Sequence, residues 1–290
     1  HYAARMPSSA LFHSVPTLLT AVLLVSATPS PAHASDGSLA EEVAIPGLLY
    51  DETSPFERVV VLDEGGYRYL RFGSLTGDDQ SVLDLARPGE PVLEYIPRTC
   101  FGLALAAGHE RGLVVGLGAG STTRYWHALF PRMRIDSVEI DPLVVAVAFQ
   151  FFHFPFHPGL PVHLMDGRTW VQESPGAYDV VLLDAYGAGD APYHLTTLEF
   201  HTEVQAKLAP GGVVIANTVA ERHATVLSLE RTFREAFPTV YRLETPNDGN
   251  VLLIGTLEPV LGEGESQERL ERFIAAHLPG QVRRAGNQKA

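Results

Sequence analysis

From residue 101 onward the chain alternates between two textures. Short runs rich in Val, Ile and Leu recur: GLVVG (112–116), RIDSVEI (134–140), PVHLM (161–165), YDVVLLDAY (178–186), GGVVIANTV (211–219), VYRLE (240–244) and NVLLIG (250–255). Most are separated by helix-length segments at 121–129, 142–152, 196–208 and 220–237. Apolar runs without polar alternation are the pattern of strands covered on both faces. Strand–helix alternation predicts an α/β fold, a Rossmann-like, doubly wound, mostly parallel seven-stranded sheet. The last two runs are joined by TPNDG, a hairpin-length link, so the final strand should run antiparallel. GESQERLERFIAAHL (264–278) reads as a terminal amphipathic helix.

The region before it has another rhythm. Within FERVVVLDEGGYRYLRFG, two β-rich runs flank Glu64-Gly65-Gly66, a hairpin turn signal. Gln80-Ser81-Val82-Leu83-Asp84 follows a Gly-Asp-Asp turn, and Pro88, Pro91 and Pro97 punctuate the exit. Residues 43–100 therefore read as a small N-terminal β-rich subdomain, ahead of a Rossmann-like domain at 101–258 and a C-terminal helix and tail at 259–290.

The first residues read as a targeting segment. Arg5 precedes an apolar run, 15–25, too short to cross a bilayer comfortably, and Ala32-His33-Ala34 offers small residues before a cut at Ser35. The expectation is a signal peptide over 1–34, a linker over 35–42, export to the periplasm or medium, and no stable membrane span after cleavage. A cytoplasmic location follows instead if this stretch is an extension introduced in gene prediction.

Composition narrows the function classes. The formal charge of the 290 residues is −13, which argues against a nucleic-acid partner and suits a cationic substrate. One cysteine, Cys100, excludes an intrachain disulfide and a thiolate metal cluster, and its setting is that of a small buried hydrophobe. His153 and His157 are four apart, but Pro155 between them breaks the helix that would align them, so no metal site is expected. His194 and His201 read as structural.

The chemistry concentrates at strand ends. LVVGLGAGSTTRYW (113–126) runs a strand into Gly116, Gly118 and Gly120 and then a helix, a backbone arrangement that presents N–H groups to a ligand. The spacing departs from Gly-x-Gly-x-x-Gly, which disfavours a dinucleotide. Glu139 ends the next strand, about 20 residues on, where a carboxylate can accept ribose hydroxyls. Asp166 and Asp184 end the two after it. Acids at three successive strand ends converge on one crevice in an open α/β sheet. Asp141, before Pro142, and Asp166 are also good helix N-caps.

These features, with VEIDP, the later Asp166-Gly167, and YDVVLLDAY…APYHLTTLEFHTEVQAKLAPGGVVIAN, resemble the class I S-adenosylmethionine-dependent transferases, and more narrowly the spermidine synthase-like (polyamine aminopropyltransferase) family, across roughly residues 50–257. The resemblance implies a sulfonium donor substrate, decarboxylated S-adenosylmethionine or S-adenosylmethionine itself, a small amine acceptor such as putrescine, no metal, and an allowance for a homodimer. It implies that Gly116, Gly118 and Gly120 pack against the thioadenosine, Glu139 holds the ribose, and Asp166 accepts from the adenine amino group with Gly167 permitting close approach. Asp184 would sit by the reacting carbon with Tyr95 orienting it. Gln80 and Tyr95 would close the acceptor side, and Glu94 or Asp190 would anchor a distal ammonium. Three positions depart from the aminopropyltransferase pattern. Ala119 stands where the loop has an aspartate, Ala-Tyr-Gly-Ala-Gly follows Asp184, and Phe56-Glu57 replaces a Tyr-Gln pair. A methyltransferase acting on a small molecule, or a polyamine- or nucleoside-binding protein without catalysis, are the alternatives.

Overall fold

In the computed structural model, residues 45–185, 191–219, 223–245, 249–258 and 262–277 are described, all within one compact unit that starts at Val43. The N-terminal part is a four-stranded antiparallel meander of β1 (Leu48–Thr53), β2 (Arg58–Glu64), β3 (Tyr67–Phe72) and β4 (Asp79–Asp84). Gly65 and Gly66 both take positive φ between β2 and β3, as a two-residue hairpin loop requires. Two short helices, α1 (Tyr95–Arg98) and α2 (Cys100–Leu105), lead into the second sheet.

That sheet holds β5 (Arg111–Val115), β6 (Arg134–Glu139), β7 (Val162–Leu164), β8 (Tyr178–Leu183), β9 (Leu208–Val219), β10 (Thr239–Thr245) and β11 (Asn250–Thr256), in the order β10-β11-β9-β8-β5-β6-β7. Pairings are parallel from β7 through β9, and β11 is antiparallel to both β9 and β10. The expected seven strands, mostly parallel with an antiparallel last strand, are all present. Helices α3 (Ser121–Leu129), α4 (Pro142–Phe151), α5 (Gly167–Glu173), α6 (Leu198–Gln205) and α7 (His223–Ala236) connect them, and α8 (Glu263–His277) closes the described chain. Helix α6 is shorter than its sequence range because Thr197 caps it and β9 begins at Leu208.

Each central strand feeds two cores. Val114, Val180, Leu182, Val213 and Ile215 pack on one side with α2 and α3. Leu113, Val115, Val181, Leu183 and Val214 pack on the other with α5, α6 and α7. The period-2 alternation thus places apolar residues on both faces, which explains the unbroken hydrophobic runs. Cys100 is buried with its Sγ 3.7 Å from Tyr125 Oη, and burial pushes the thiol up to about 11. The meander joins this body through α4: Val59, Val61, Leu70 and Leu83 pack with Val144, Val147 and Phe152. Ser54 Oγ donates to Asp141, and an Arg68 guanidinium N–H donates to Phe151 O at 2.7 Å. Ser81 Oγ accepts from Ala119 N at 3.1 Å, tying β4 to the glycine loop.

Candidate functional site

Strand order reverses between β5 and β8: β6 and β7 lie on one side of β5, and β8 on the other. Open α/β sheets leave a crevice at the carboxyl end of such a switch point. Here the crevice has a volume of about 960 Å³, bounded by the ends of β5, β6, β8 and β9, by the N-terminal turn of α3 and by the 54–57 turn and β4 of the meander. Backbone bonds bring the loops together, since Gly116 N donates to Val138 O at 2.9 Å and Asp184 N to Val115 O at 2.8 Å.

The glycines have separate reasons. Gly116 has φ of +96°, and a Cβ there would lie 2.2 Å from Asp184 O, so any side chain would collide with the neighbouring strand end. Gly118, at φ +52°, faces the crevice, and a Cβ would meet Ser81 Oγ at 3.1 Å. Gly120 does not line the crevice. It precedes α3 in the left-handed region, and a Cβ there would lie 2.1 Å from the Phe154 ring, so its bareness serves packing. Ala119 is fully buried in the apolar cluster under the meander, among Val59, Val144 and Val147.

Glu139 and Asp184 are both held carboxylates. Glu139 accepts from Leu117 N at 3.0 Å, Ile140 N at 2.9 Å and Asp141 N at 3.0 Å. Burial raises its pKa above the ordinary value, against the pull of those backbone donors. Asp184 Oδ2 accepts from Tyr95 Oη at 2.8 Å and Oδ1 from Asn217 Nδ2 at 2.8 Å. Asn217 Oδ1 in turn accepts from Asn250 Nδ2 at 2.9 Å. Burial raises the Asp184 pKa as well, and the hydrogen bonds from Asn217 and Tyr95 lower it part of the way back. A carboxylate with elevated pKa and fixed orientation can receive a proton at neutral pH better than an exposed one.

Asp166 caps α5: its Oδ1 accepts from Thr169 N at 2.9 Å and Thr169 Oγ1 at 3.1 Å. Its Oδ2 lies 2.7 Å from His194 Nε2. Burial raises its pKa, but the donors from Thr169 and His194 outweigh this and hold it below the ordinary value. Gly167 lines the crevice against Val115, whose Cγ1 would be 2.5 Å from an added Cβ. Asp141 caps α4 through Leu143 N at 2.8 Å.

The structure thus brings Gly116, Gly118, Glu139, Asp166, Gly167 and Asp184 to one crevice together with Gln80 and Tyr95, the latter in hydrogen-bond contact with Asp184. Glu94 does not line it: one position before Tyr95, it turns toward Arg98, its i+4 neighbour, and pairs with it. Asp190 lies outside the described residues. His194, read from sequence as structural, lines the crevice, whereas His201 is fully buried and its pKa is depressed by burial to about 4. Asn217 and Asn250 were not singled out in the sequence. Asn217 is a polar residue interrupting an otherwise apolar strand end in VVIANTV, and that was the available signal. Among the described lining residues, Glu57, Asp78 and Asp79 from the meander side join Glu139, Asp141, Asp166 and Asp184, and no Lys or Arg is present. Among the described residues no group of three His, Cys, Asp or Glu has metal-binding geometry, and no helix is long and apolar enough to cross a membrane.

Residues 99–247 match the family described as spermine/spermidine synthase domain. The chain belongs to the spermine/spermidine synthase family. It is 28% identical to a polyamine aminopropyltransferase of Vibrio vulnificus over 80% of this chain and 79% of that protein. Some curated relatives are larger proteins, of which the chain spans about a quarter. Among solved structures, a probable spermidine synthase from Corynebacterium glutamicum superposes with a TM-score of 0.66 at 21% identity, over 80% of this chain and 87% of that one. Human methyltransferase-like protein 13, solved in complex with SAH, superposes with a TM-score of 0.57 at 30% identity, over 63% of this chain and 93% of that one. The chain therefore has the spermidine synthase-like fold of the S-adenosylmethionine-dependent transferases, and the proteins it is similar to include some named for aminopropyl transfer and some named for methyl transfer.

Proposed function

We propose that the chain is an aminopropyltransferase that moves the aminopropyl group of decarboxylated S-adenosylmethionine to an amine of the putrescine type. The observation that carries this reading is the Tyr95–Asp184–Asn217 arrangement beside the glycine turn, at the floor of a crevice lined by carboxylates. An alkyl amine is protonated at neutral pH, about 3 units below its pKa, so baring its lone pair costs about 4 kcal/mol. Asp184 is the group that positions the amine and takes its proton. Its elevated pKa suits that role, and Tyr95 and Asn217 hold both oxygens in place. The amine nitrogen then forms a bond to the methylene beside the sulfonium, the C–S bond breaks, and its electron pair leaves on sulfur as neutral methylthioadenosine. Glu139 aligns the ribose, and alignment supplies much of the rate. The lining carboxylates, with no Lys or Arg among the described lining residues, favour a donor tail that is purely cationic over one that carries its own carboxylate.

Two observations favour a second reading, methyl transfer from intact S-adenosylmethionine. Ala119 is buried in an apolar cluster, so the loop supplies no carboxylate for an aminopropyl ammonium, and the chain is 30% identical to a methyltransferase-like protein. Incubating the protein with each donor and a panel of amines, and identifying the nucleoside product by mass spectrometry, separates the two. Methylthioadenosine supports aminopropyl transfer and S-adenosylhomocysteine supports methyl transfer. Binding of nucleoside with neither product overturns both and leaves a binding protein. We further propose that the protein is exported with residues 1–34 removed; amino-terminal sequencing of the protein recovered outside the cytoplasm tests this, and a retained leader on cytoplasmic protein contradicts it.

A further inference from the structure

His194 sits in a 3₁₀ turn, Tyr193–Leu195, between the end of β8 and α6, and it is stapled to the start of α5 twice. Its ring Nε2 lies 2.7 Å from Asp166 Oδ2, and its carbonyl oxygen accepts from Arg168 Nη1 at 3.3 Å. Arg168 is itself fixed by a two-pronged contact to Glu203 of α6, at 2.9 and 2.7 Å. Two residues two positions apart in sequence, Asp166 and Arg168, thus grip the ring and backbone of a single residue. The other Asp166 oxygen is engaged by Thr169. With Thr169 on one oxygen and His194 on the other, the carboxylate has a single orientation. A carboxylate oxygen offers two lone pairs, so Oδ2 bonded to His194 retains one acceptor site toward the crevice. Leu195, the next residue, lies near Gly167 on the same wall, so the turn also shapes the space beside Asp166.

We infer that His194 is a positioning residue for the base of the donor nucleoside. It locks Asp166 so that the free lone pair of Oδ2 points at an exocyclic amino group, and it thereby sets the preference for a 6-amino over a 6-oxo purine. This rests on the reading of the crevice as a donor nucleoside site. A carboxylate fixed as a pure acceptor repels a 6-oxo group, whereas one free to rotate can turn away from it. Removing His194 therefore weakens the amino compound and relaxes discrimination, and leaves the bonds from Tyr95 and Asn217 to Asp184 in place.

The test measures binding of methylthioadenosine and of its hypoxanthine counterpart by calorimetry to the wild type, His194→Ala and His194→Gln, with thermal melts as a check on folding. Gln keeps an N–H donor near the place of Nε2. His194→Ala should bind methylthioadenosine about tenfold more weakly, the scale of one charge-assisted hydrogen bond, with its amino-over-oxo preference reduced. His194→Gln should restore most of both. With turnover as a second readout, the donor KM should rise in His194→Ala while kcat stays within about twofold. Unchanged affinity and preference in His194→Ala overturn the proposal, as does a loss that Gln does not restore, which would mark a disturbed backbone. If the wild type binds neither nucleoside, the donor reading itself falls and this inference falls with it.

Discussion

Asp184 joins burial and chemistry in one side chain. Its donors, Tyr95 and Asn217, come from segments 89 residues before it and 33 after it. Asp184→Asn should lower kcat by about 10²–10⁴-fold, the usual scale for a lost proton acceptor, and leave nucleoside affinity unchanged in a binding titration. The same substitution has a stability consequence. A carboxyl whose folded pKa is raised holds its proton more tightly in the native state, so stability declines as pH rises from its unfolded pKa through its folded pKa. Asn cannot ionise. The melting temperature of Asp184→Asn relative to wild type should therefore climb as pH is raised from about 4 toward 7, and a difference that is flat or falling with pH contradicts the assignment. Tyr95→Phe removes a donor that pulls the Asp184 pKa down. The acid limb of its kcat/KM profile should move to higher pH, and a shift to lower pH or none excludes the Tyr95–Asp184 bond as a tuning contact.

At the level of elements, the turn after β5 is where sequence and architecture meet most tightly. Three glycines at alternate positions look equivalent in the sequence, yet the structure separates them. Gly116 lets two strand ends touch, Gly118 bares the backbone to the crevice, and Gly120 admits the Phe154 ring. Gly116→Ala should cost about 3 kcal/mol, combining a forbidden φ with a backbone collision. Gly118→Ala should cost about 1 kcal/mol, since its φ of +52° lies in the ordinary left-handed well and, among the described residues, a Cβ there would closely meet the Ser81 hydroxyl alone. Denaturant titration of the two variants checks the ranking, and equal losses would show that the turn is not wedged against β8. The strands and helices themselves were readable because both-face burial leaves continuous apolar runs and because Asp141 and Asp166 cap helices as their types favour.

At the level of the whole molecule, the crevice exists because two sheets meet. The meander contributes Phe56, Glu57, Asp78, Asp79 and Gln80 to one wall, and the strand ends of the second sheet contribute the other. If the proposed cationic acceptor is the substrate, the net charge of −13 and the seven carboxylates among the described lining residues should attract it over distance. Raising ionic strength from about 0.01 M to about 0.15 M shortens the screening length from about 30 Å to about 8 Å. The acceptor KM should rise several-fold over that range while kcat holds. A KM indifferent to salt would mean that the acids act at contact distance alone.

The sheet, its direction changes, the hairpin at Gly65-Gly66 and the convergence of Glu139, Asp166 and Asp184 were all decided locally, by hydrophobic period, turn chemistry and the rule that strand ends face a common crevice. What no local pattern specifies is which side chain completes a bond from far along the chain. Asn217 and Asn250 behind Asp184, Ser81 on the Ala119 amide, His194 on Asp166, and the turning of Glu94 toward Arg98 depend on how separate elements pack. Periodicity reports the face a residue occupies and says nothing of the partner across the gap. Those partners are set by the docking of the meander on α4 and of the 191–197 segment on α5, and so became visible in the tertiary structure alone.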